Sequence, residues 1–168
     1  MLEHQQTVLD GRVFSRQTLW VNHGVAADEA AARRAGEIYW EFLRRFGRPI
    51  LRIRELQGGG VRVGLPGLLL LEFRPPAVVP LGDGLGLRYP IGRGAAVHPA
   101  HTGEGYLQMG VAPHAVSLTV EGYYPNLIRL DTRIYEWTQS ALHLRVARGY
   151  LPLLSEGLRR EANPPCST

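Results

Sequence analysis

Hydrophobic and polar residues alternate with a period of two in some parts of this chain and recur every three or four residues in others. Residues 1–11 follow neither pattern: they are mostly polar, which predicts a loose arm or a first turn. Residues 12–22 alternate as a strand does, with apolar side chains on both faces. Residues 28–46 carry apolar side chains at helical spacing, and Gly47 and Pro49 then stop the pattern. The first third of the chain is therefore predicted to form one strand and one helix.

Between residues 50 and 124 the period returns to two, and glycine and proline interrupt it often. In the last segment of this region one face is apolar and the other is mixed, so the mixed face should be solvated. Gly122 interrupts the apolar set, which predicts a bulge or a bend. The pattern predicts six or seven short antiparallel strands, which cover residues 51–55, 61–63, 68–73, 85–91, 95–97, 106–111 and 115–124.

The last third of the chain, from Asp131 to Arg160, reads as one long and unusually apolar helical segment. One sheet face rarely covers so much apolar surface, so we expect a curved sheet around a cavity, a subunit interface or a buried core helix. Gly149 and Pro152 predict a kink or a short break after Arg148, because proline lacks the N–H that the helix needs. The apolar surface of this segment consists of two neighbouring stripes. One contains Ile134, Trp137, Ala141, Leu144, Leu151 and Leu158, and the other contains Tyr135, Thr138, Leu142, Val146 and Leu153.

Length and composition predict one globular domain over residues 1–161 and a disordered tail over residues 162–168. The chain has 168 residues and a formal net charge of +4, and all 19 of its basic residues are arginine. Lysine chemistry such as Schiff-base formation is therefore excluded. The arginines are scattered and follow no nucleic-acid-binding pattern, so we do not expect a nucleic-acid partner.

The chain has one cysteine, Cys166, so it cannot form an internal disulfide. Its N-terminus shows no secretory signal, which makes a cytoplasmic location the expectation. The most apolar run, residues 68–71, is far too short to cross a membrane and is expected to be a buried strand.

His98, His101 and Glu104 form the sequence cluster that most resembles a metal site, since imidazoles and a carboxylate at close spacing can bind zinc. Pro99 opposes a helix between the histidines, so we interpret the segment as an ordinary polar turn. No metal and no cofactor is expected.

Tyrosines on the predicted strands are candidates for orienting a ligand, because a phenol offers a hydrogen bond while its ring lines an apolar pocket. Packing in the core or at its rim is the alternative. Arg88 could bind a carboxylate if it points inward. No nucleophile elbow or nucleotide fingerprint accompanies the serines and glycines. The tyrosines concerned are Tyr89, Tyr106, Tyr123, Tyr124 and Tyr135.

His143 lies one helical turn from Gln139 on the last helix. If that stripe faces a cavity, His143 could act as an acid or a base, since histidine titrates near neutral pH. The alternative is a polar stripe that faces solvent.

The predicted order of elements resembles the START-like helix-grip superfamily, which includes polyketide cyclases and lipid- or hormone-binding domains. The resemblance spans residues 12–160 and rests on one strand, one helix, about six antiparallel strands and a long C-terminal helix. It implies an α+β fold in which a curved antiparallel sheet grips the last helix, with the other helix after the first strand. The chain departs from the superfamily pattern in its single first helix and in the predicted break near Gly149.

The resemblance further implies an apolar cavity between the sheet and the last helix. Trp137, Ala141, Leu142 and Tyr124 would line it, and Tyr135 or His143 would be its polar contacts and its candidates for catalysis. Tyr89, Tyr106 and Arg88 complete the predicted ligand-binding set. The expected function is binding of a mostly apolar small molecule, with or without cyclase or dehydratase activity. The alternative is a structural protein that uses the last helix as a homodimer or partner interface.

Overall fold

A computed structural model describes residues 1–126 and 132–162, and in the last helix it describes the side chains of residues 143–159. The fold is α+β, as predicted, with antiparallel strands and a C-terminal helix. The elements are β1 (Leu2–Leu9), β2 (Arg12–Trp20), α1 (Glu29–Phe46), β3 (Arg52–Glu55), β4 (Val61–Leu65), β5 (Leu68–Phe73), β6 (Ala77–Leu81), β7 (Gly84–Pro90), a short 3₁₀ turn (Pro99–His101), β8 (Tyr106–Ala112), β9 (Ala115–Tyr123) and α2 (Thr132–Ala162). The tail predicted to be disordered lies outside the described residues, apart from Ala162.

The strands form two sheets. The larger has the order β1-β2-β9-β8-β7-β6, and the smaller has the order β3-β4-β5. The larger sheet agrees with the predicted number of about six or seven strands. The prediction is wrong in two other respects: a second sheet exists, and α1 follows the second strand.

The prediction of a loose N-terminal arm is also wrong, because this segment is β1. It pairs with β2 along its whole length through a two-residue turn at Asp10 and Gly11. Both turn residues have positive φ, 50° and 77°, as a type I′ hairpin requires. This edge strand is largely exposed, so it pairs with β2 mainly through backbone hydrogen bonds and shows little apolar alternation.

Two further segments differ from the predicted strands. Residues 95–97 form no strand, although the N–H groups of Ala95 and Ala96 donate to carbonyls of β5. Residues 77–81 form β6. The sequence pattern did not predict this strand, because prolines lie in it and directly before it. Pro80 is tolerated there because β6 is the edge of the sheet, where a missing donor costs no hydrogen bond.

β9 contains the predicted irregularity at Gly122. Val13 of β2 pairs with Tyr123 and Phe14 pairs with Glu121, so Gly122 is an extra residue with a φ of 68°. The bulge is thus confirmed, and glycine suits it because it adopts positive φ without strain.

Both helices pack on one face of the larger sheet, called here the inner face. Asp28 caps α1: its Oδ1 accepts a hydrogen bond of 2.8 Å from the N–H of Ala31. Gly36 of α1 lies against Leu87 and Tyr89 of β7, and α2 packs on β2, β9 and α1. The opposite face, called the outer face, carries no helix among the described elements.

α2 is one continuous helix, so the predicted alternative of a break after Arg148 is wrong, while the alternative of a kink stays a prediction. Gly149 lets the ring of Phe42 approach closely: a Cβ there would lie 2.7 Å from Cζ of that ring. Pro152 lies on the exposed side, as Arg148 does, so the carbonyl that proline leaves free can bond to water.

The described half of α2 has one buried stripe on its inner side. It includes Leu151 and Leu158, which the sequence placed in one stripe, and Val146, which it placed in the other. Leu153 of the second predicted stripe is 53% exposed. Within the described helices, none has the length and hydrophobicity that crossing a bilayer requires.

Candidate functional site

A groove of about 370 Å³ lies on the outer face of the larger sheet. It crosses from β1 over β2, β9 and β8 to the turn between β6 and β7. This size falls in the range of small-molecule sites. The lining combines charged, aromatic and small residues: Glu3, Gln5, Arg16, Thr18, Trp20, Leu81, Asp83, Gly110, Val111, Ala112, His114, Ala115 and Ser117.

Small residues create the floor of the groove. Gly110 of β8 pairs with Ser117 of β9 on one side and with Gly86 of β7 on the other. Leu81 fills the space that side chains would take there: its Cδ1 would lie 2.6 Å from a Cβ at Gly86 and 3.0 Å from one at Gly110. Ser117 itself is buried beside these residues, so the prediction of a solvated mixed face on β9 is wrong at this position.

Charged side chains of both signs surround this floor. Arg16 is exposed, and within the described part of the chain no carboxylate pairs with it. Glu3 and Asp83 lie at opposite ends of the groove, on β1 and on the β6–β7 turn. The arrangement can bind an anionic group at Arg16 while the carboxylates accept hydrogen bonds from hydroxyl or amino groups.

Trp20 forms an aromatic wall at the end of β2. Its side chain is 47% exposed, which is unusual for the largest of the apolar side chains. Its backbone is fixed by two bonds to Met1: its N–H donates to the Met1 carbonyl at 2.9 Å, and its carbonyl accepts from the terminal amine at 3.2 Å. A flat ring can stack on a tryptophan that is held in this way.

Arg88 and Tyr106, two of the predicted ligand-binding residues, lie together on this same outer face. The guanidinium of Arg88 lies 4.1 Å from the centre of the Tyr106 ring, and its Nε donates to Oε1 of Gln108 at 2.9 Å. Tyr106 donates its phenol hydrogen to Glu121. Burial, and then this hydrogen bond, raise the pKa of Tyr106 to about 12, so the phenol stays protonated at neutral pH.

Tyr89 and Tyr124 lie elsewhere. Tyr89 is buried under α1, where its ring meets that of Trp40 edge to face at 5.3 Å. Tyr124 lies beyond the bulge, with its ring stacked 3.7 Å from that of His101 and its hydroxyl accepting from Arg12 Nε at 2.9 Å. The predicted ligand-binding residues that can be placed therefore occupy three separate regions.

The candidate metal residues form a turn held by its own side chains. Nδ1 of His101 lies 3.1 Å from Oε1 of Glu104, and Arg12 pairs with the other carboxylate oxygen at 3.3 Å. Both partners lower the pKa of Glu104, and His101 has the larger effect. Nδ1 of His98 accepts from the backbone N–H of Ala100. Over the described residues, no three groups of metal-binding type come together.

His143 lies on the inner side of α2, against the sheet. Its Nδ1 is buried and finds no hydrogen-bond partner among the described residues, and the same holds for Oε1 of Gln6 on β1. Burial, and then the charge of His4, lower the pKa of His143 to about 4. Ser15 and Gln17 of β2 are buried on this face and bond to each other at 2.6 Å. The surface beneath α2 thus includes polar groups.

The remaining candidates cannot be placed. The side chains of Tyr135, Trp137, Ala141 and Leu142 lie outside the described residues.

The residues that form the groove were not among the predicted site residues. Glu3 lies in the segment predicted to be a loose arm, and Arg16 and Trp20 lie in a predicted strand whose neighbours the pattern does not specify. The available signal was the alternation of Arg16, Thr18 and Trp20, which places all three on one face. Their convergence with Asp83 depends on the strand order, which local pattern does not specify.

The fold and the groove define the molecule as an α+β protein with a groove of mixed polarity on the outer face of its larger sheet. Comparisons with protein-family models, curated proteins and solved structures returned no match for this chain.

Proposed function

We propose that this protein binds a small molecule in the groove on the outer face of its larger sheet. The observation that carries the proposal is the combination of Arg16 and Trp20 around a floor of small residues. A ligand that fits carries an anionic group for Arg16 and a planar ring for Trp20. This ligand is more polar than the mostly apolar one that the START-like resemblance implies.

The ligand chemistry follows from what the groove leaves unpaired. An exposed guanidinium binds carboxylate or phosphate through two parallel hydrogen bonds. A ring stacked on Trp20 adds apolar contact, and Glu3 or Asp83 accepts hydrogen bonds from substituents on the ring. A small aromatic carboxylate is therefore the simplest probe.

A binding measurement with benzoate, indole-3-acetate and 4-hydroxycinnamate tests this proposal, each compared with its neutral amide. We expect the carboxylates to bind more tightly than the amides in ligand-observed NMR, since the amides cannot pair with Arg16. Arg16→Gln should weaken carboxylate binding about tenfold, the size of one charged hydrogen bond. Trp20→Ala should weaken binding of acids and amides alike.

The matched control is Arg145→Gln, which removes the same charge from an exposed site on α2, and it should leave binding unchanged. Equal binding of acids and amides, or equal weakening by Arg16→Gln and Arg145→Gln, would contradict the proposal.

The internal cavity of a helix-grip fold is the second candidate site. Its support is two buried atoms that have no hydrogen-bond partner among the described residues, Nδ1 of His143 on α2 and Oε1 of Gln6 on β1. Buried polar atoms of this kind require a partner, which a ligand with hydrogen-bonding groups could supply. Cyclase or dehydratase activity would need His143 as its acid or base there. A ligand at this site should perturb the NMR signals of His143 and leave those of Trp20 unchanged.

An interface on α2 is the alternative function. The described half of the helix buries its apolar stripe within the chain, and Leu153 is its one large apolar side chain that is more than half exposed. An interface would therefore involve mainly the first half of α2. Light scattering after size exclusion separates a dimer from a monomer of 18.7 kDa.

A further inference from the structure

A second groove, of about 880 Å³, lies beside the smaller sheet and shares no lining residue with the outer-face groove. The end of α1, β3, and the hairpin of β4 and β5 line it. Five of its lining residues are arginine and none is acidic: Arg44, Arg48, Arg52, Arg54 and Arg62. Such a surface has a strong positive potential.

Only part of this charge is neutralised nearby. Arg44 pairs with Glu55, and Arg62 pairs with Glu72 at 2.6 Å. Arg48, Arg52 and Arg54 are exposed, and no carboxylate of the described residues lies within ion-pair distance of them.

The pairing of β3 with β4 places charges of the same sign opposite each other. Arg54 is the cross-strand partner of Arg62. Like charges at directly opposed positions destabilise a sheet. Glu72 offsets the charge of Arg62, but no described carboxylate pairs with Arg54, so an anionic partner over Arg54 would further reduce this repulsion.

The outer edge of β3 is free. β3 is the end strand of its sheet, and over the described residues no backbone hydrogen bond reaches its second edge. The other end of the sheet is covered, because Glu72 of β5 exchanges backbone bonds with Gly92 and Arg93. Ala95 and Ala96 also donate to carbonyls of β5. A free edge of this kind can accept an added strand from a partner.

We propose that this groove binds an acidic segment of another polypeptide as an extended strand alongside β3. Arg52 and Arg54 point to the same side of β3, about 7 Å apart. A paired strand presents its side chains at the same interval, so carboxylates at every second residue of the partner match the two arginines. β3 has four residues, which is enough to pair with a short linear segment. The site is separate from the groove proposed to bind a small molecule.

An extended peptide fits these observations better than a nucleic acid does. Both would satisfy the arginines, but only a polypeptide can form the backbone hydrogen bonds that the edge of β3 leaves open. The aromatic side chains on which single-stranded bases stack are also missing from this lining.

The experiment uses the full chain and a fluorescein-labelled decapeptide in which Glu and Thr alternate, with binding measured by fluorescence anisotropy. A peptide with Gln in place of Glu tests charge. Two further peptides are N-methylated, one at every Thr and the other at every Glu, and they test backbone bonding with all charges kept. We expect the Gln peptide to bind at least tenfold more weakly. One N-methylated peptide should lose binding to a similar extent, because only one set of N–H groups faces β3.

The protein variant R52Q/R54Q should weaken binding of the Glu peptide about tenfold, and its circular dichroism should be unchanged because both side chains are exposed. The control R145Q/R148Q removes the same charge from exposed positions of α2 and should bind as the unmodified chain does.

Two results would overturn the proposal. One is binding that is indifferent to both patterns of N-methylation, which would mean attraction by charge alone. The other is tighter, Arg52-dependent binding of a single-stranded oligonucleotide or of vesicles with anionic lipid.

Discussion

At the scale of single residues, His143 has an environment that opposes its charged form. Its Nδ1 is buried without a described partner, and its pKa is lowered to about 4 by burial and by the charge of His4. In the unfolded chain a histidine titrates near pH 6.5. Between these two values the unfolded state binds more protons than the folded state does.

The free energy of unfolding should therefore fall as the pH drops from 6.5 to 4, by up to about 3 kcal/mol from this one group. Above pH 7 the group is neutral in both states and adds no pH dependence. His143→Gln should flatten the profile in this window. Urea denaturation at half-unit steps of pH measures the effect.

The matched control for this experiment is His114→Gln, which alters an exposed histidine in the turn between β8 and β9. Its profile should follow that of the unmodified chain. A His143→Gln profile as steep as that of the unmodified chain would show that His143 is not held in its neutral form.

Gly110 provides a second test at this scale. A Cβ there would overlap Oγ of Ser117 and would lie 3.0 Å from Cδ1 of Leu81. Gly110→Ala should lower the free energy of unfolding by about 1–3 kcal/mol, as overpacking does elsewhere. The double variant G110A/S117A removes the overlapping oxygen and should regain part of this loss. Chemical denaturation of the three variants, including S117A alone, provides the comparison, and purely additive effects would contradict the contact.

At the scale of elements, α2 continues through a proline that was expected to interrupt it. Proline in a helix interior costs roughly 3 kcal/mol relative to alanine, and part of this is offset by a less flexible unfolded chain. The packing of Tyr150, Leu151 and Leu154 against α1 and the sheet outweighs that cost. Tyr150 also donates its hydroxyl to the carbonyl of Ala35 at 2.9 Å.

Pro152→Ala should therefore stabilise the protein by about 1–2 kcal/mol, since it restores an N–H to a helix that is already continuous. Thermal and urea denaturation measure the change. Leu153→Ala is the control, because this neighbour is 53% exposed and its truncation should change stability by less than about 0.5 kcal/mol. A Pro152→Ala variant without added stability would indicate a helix interrupted at this point.

At the scale of the whole molecule, the sequence predicted those features that depend on near neighbours. The helical spacing of residues 28–46 and the stop at Gly47 predicted α1, and the structure has the helix over Glu29–Phe46 with Gly47 as its C-cap. The bulge at Gly122 followed from one glycine inside an alternating strand. In these cases backbone conformation is decided within a few residues, so local pattern suffices.

Features that depend on distant residues could not be predicted in this way. The Asp10 and Gly11 pair is a hairpin signal, but the polar side chains of β1 concealed the strand before it. The division into two sheets and the convergence of Glu3, Arg16 and Asp83 depend on strand order. No spacing along the chain encodes that order, because it results from the packing of all the elements together.

The pairing of β2 with β9 also determines when the larger sheet can form. Residues 13–20 join residues 115–123 at its centre, so closing this pair requires a long loop and is entropically slow. During synthesis β1 and β2 can pair only with each other until most of the chain has left the ribosome. Such an isolated hairpin is only marginally stable in water. The smaller sheet has no such delay, because β3, β4 and β5 follow one another directly. Its edge at β3 is therefore present early, while the centre of the larger sheet is completed late.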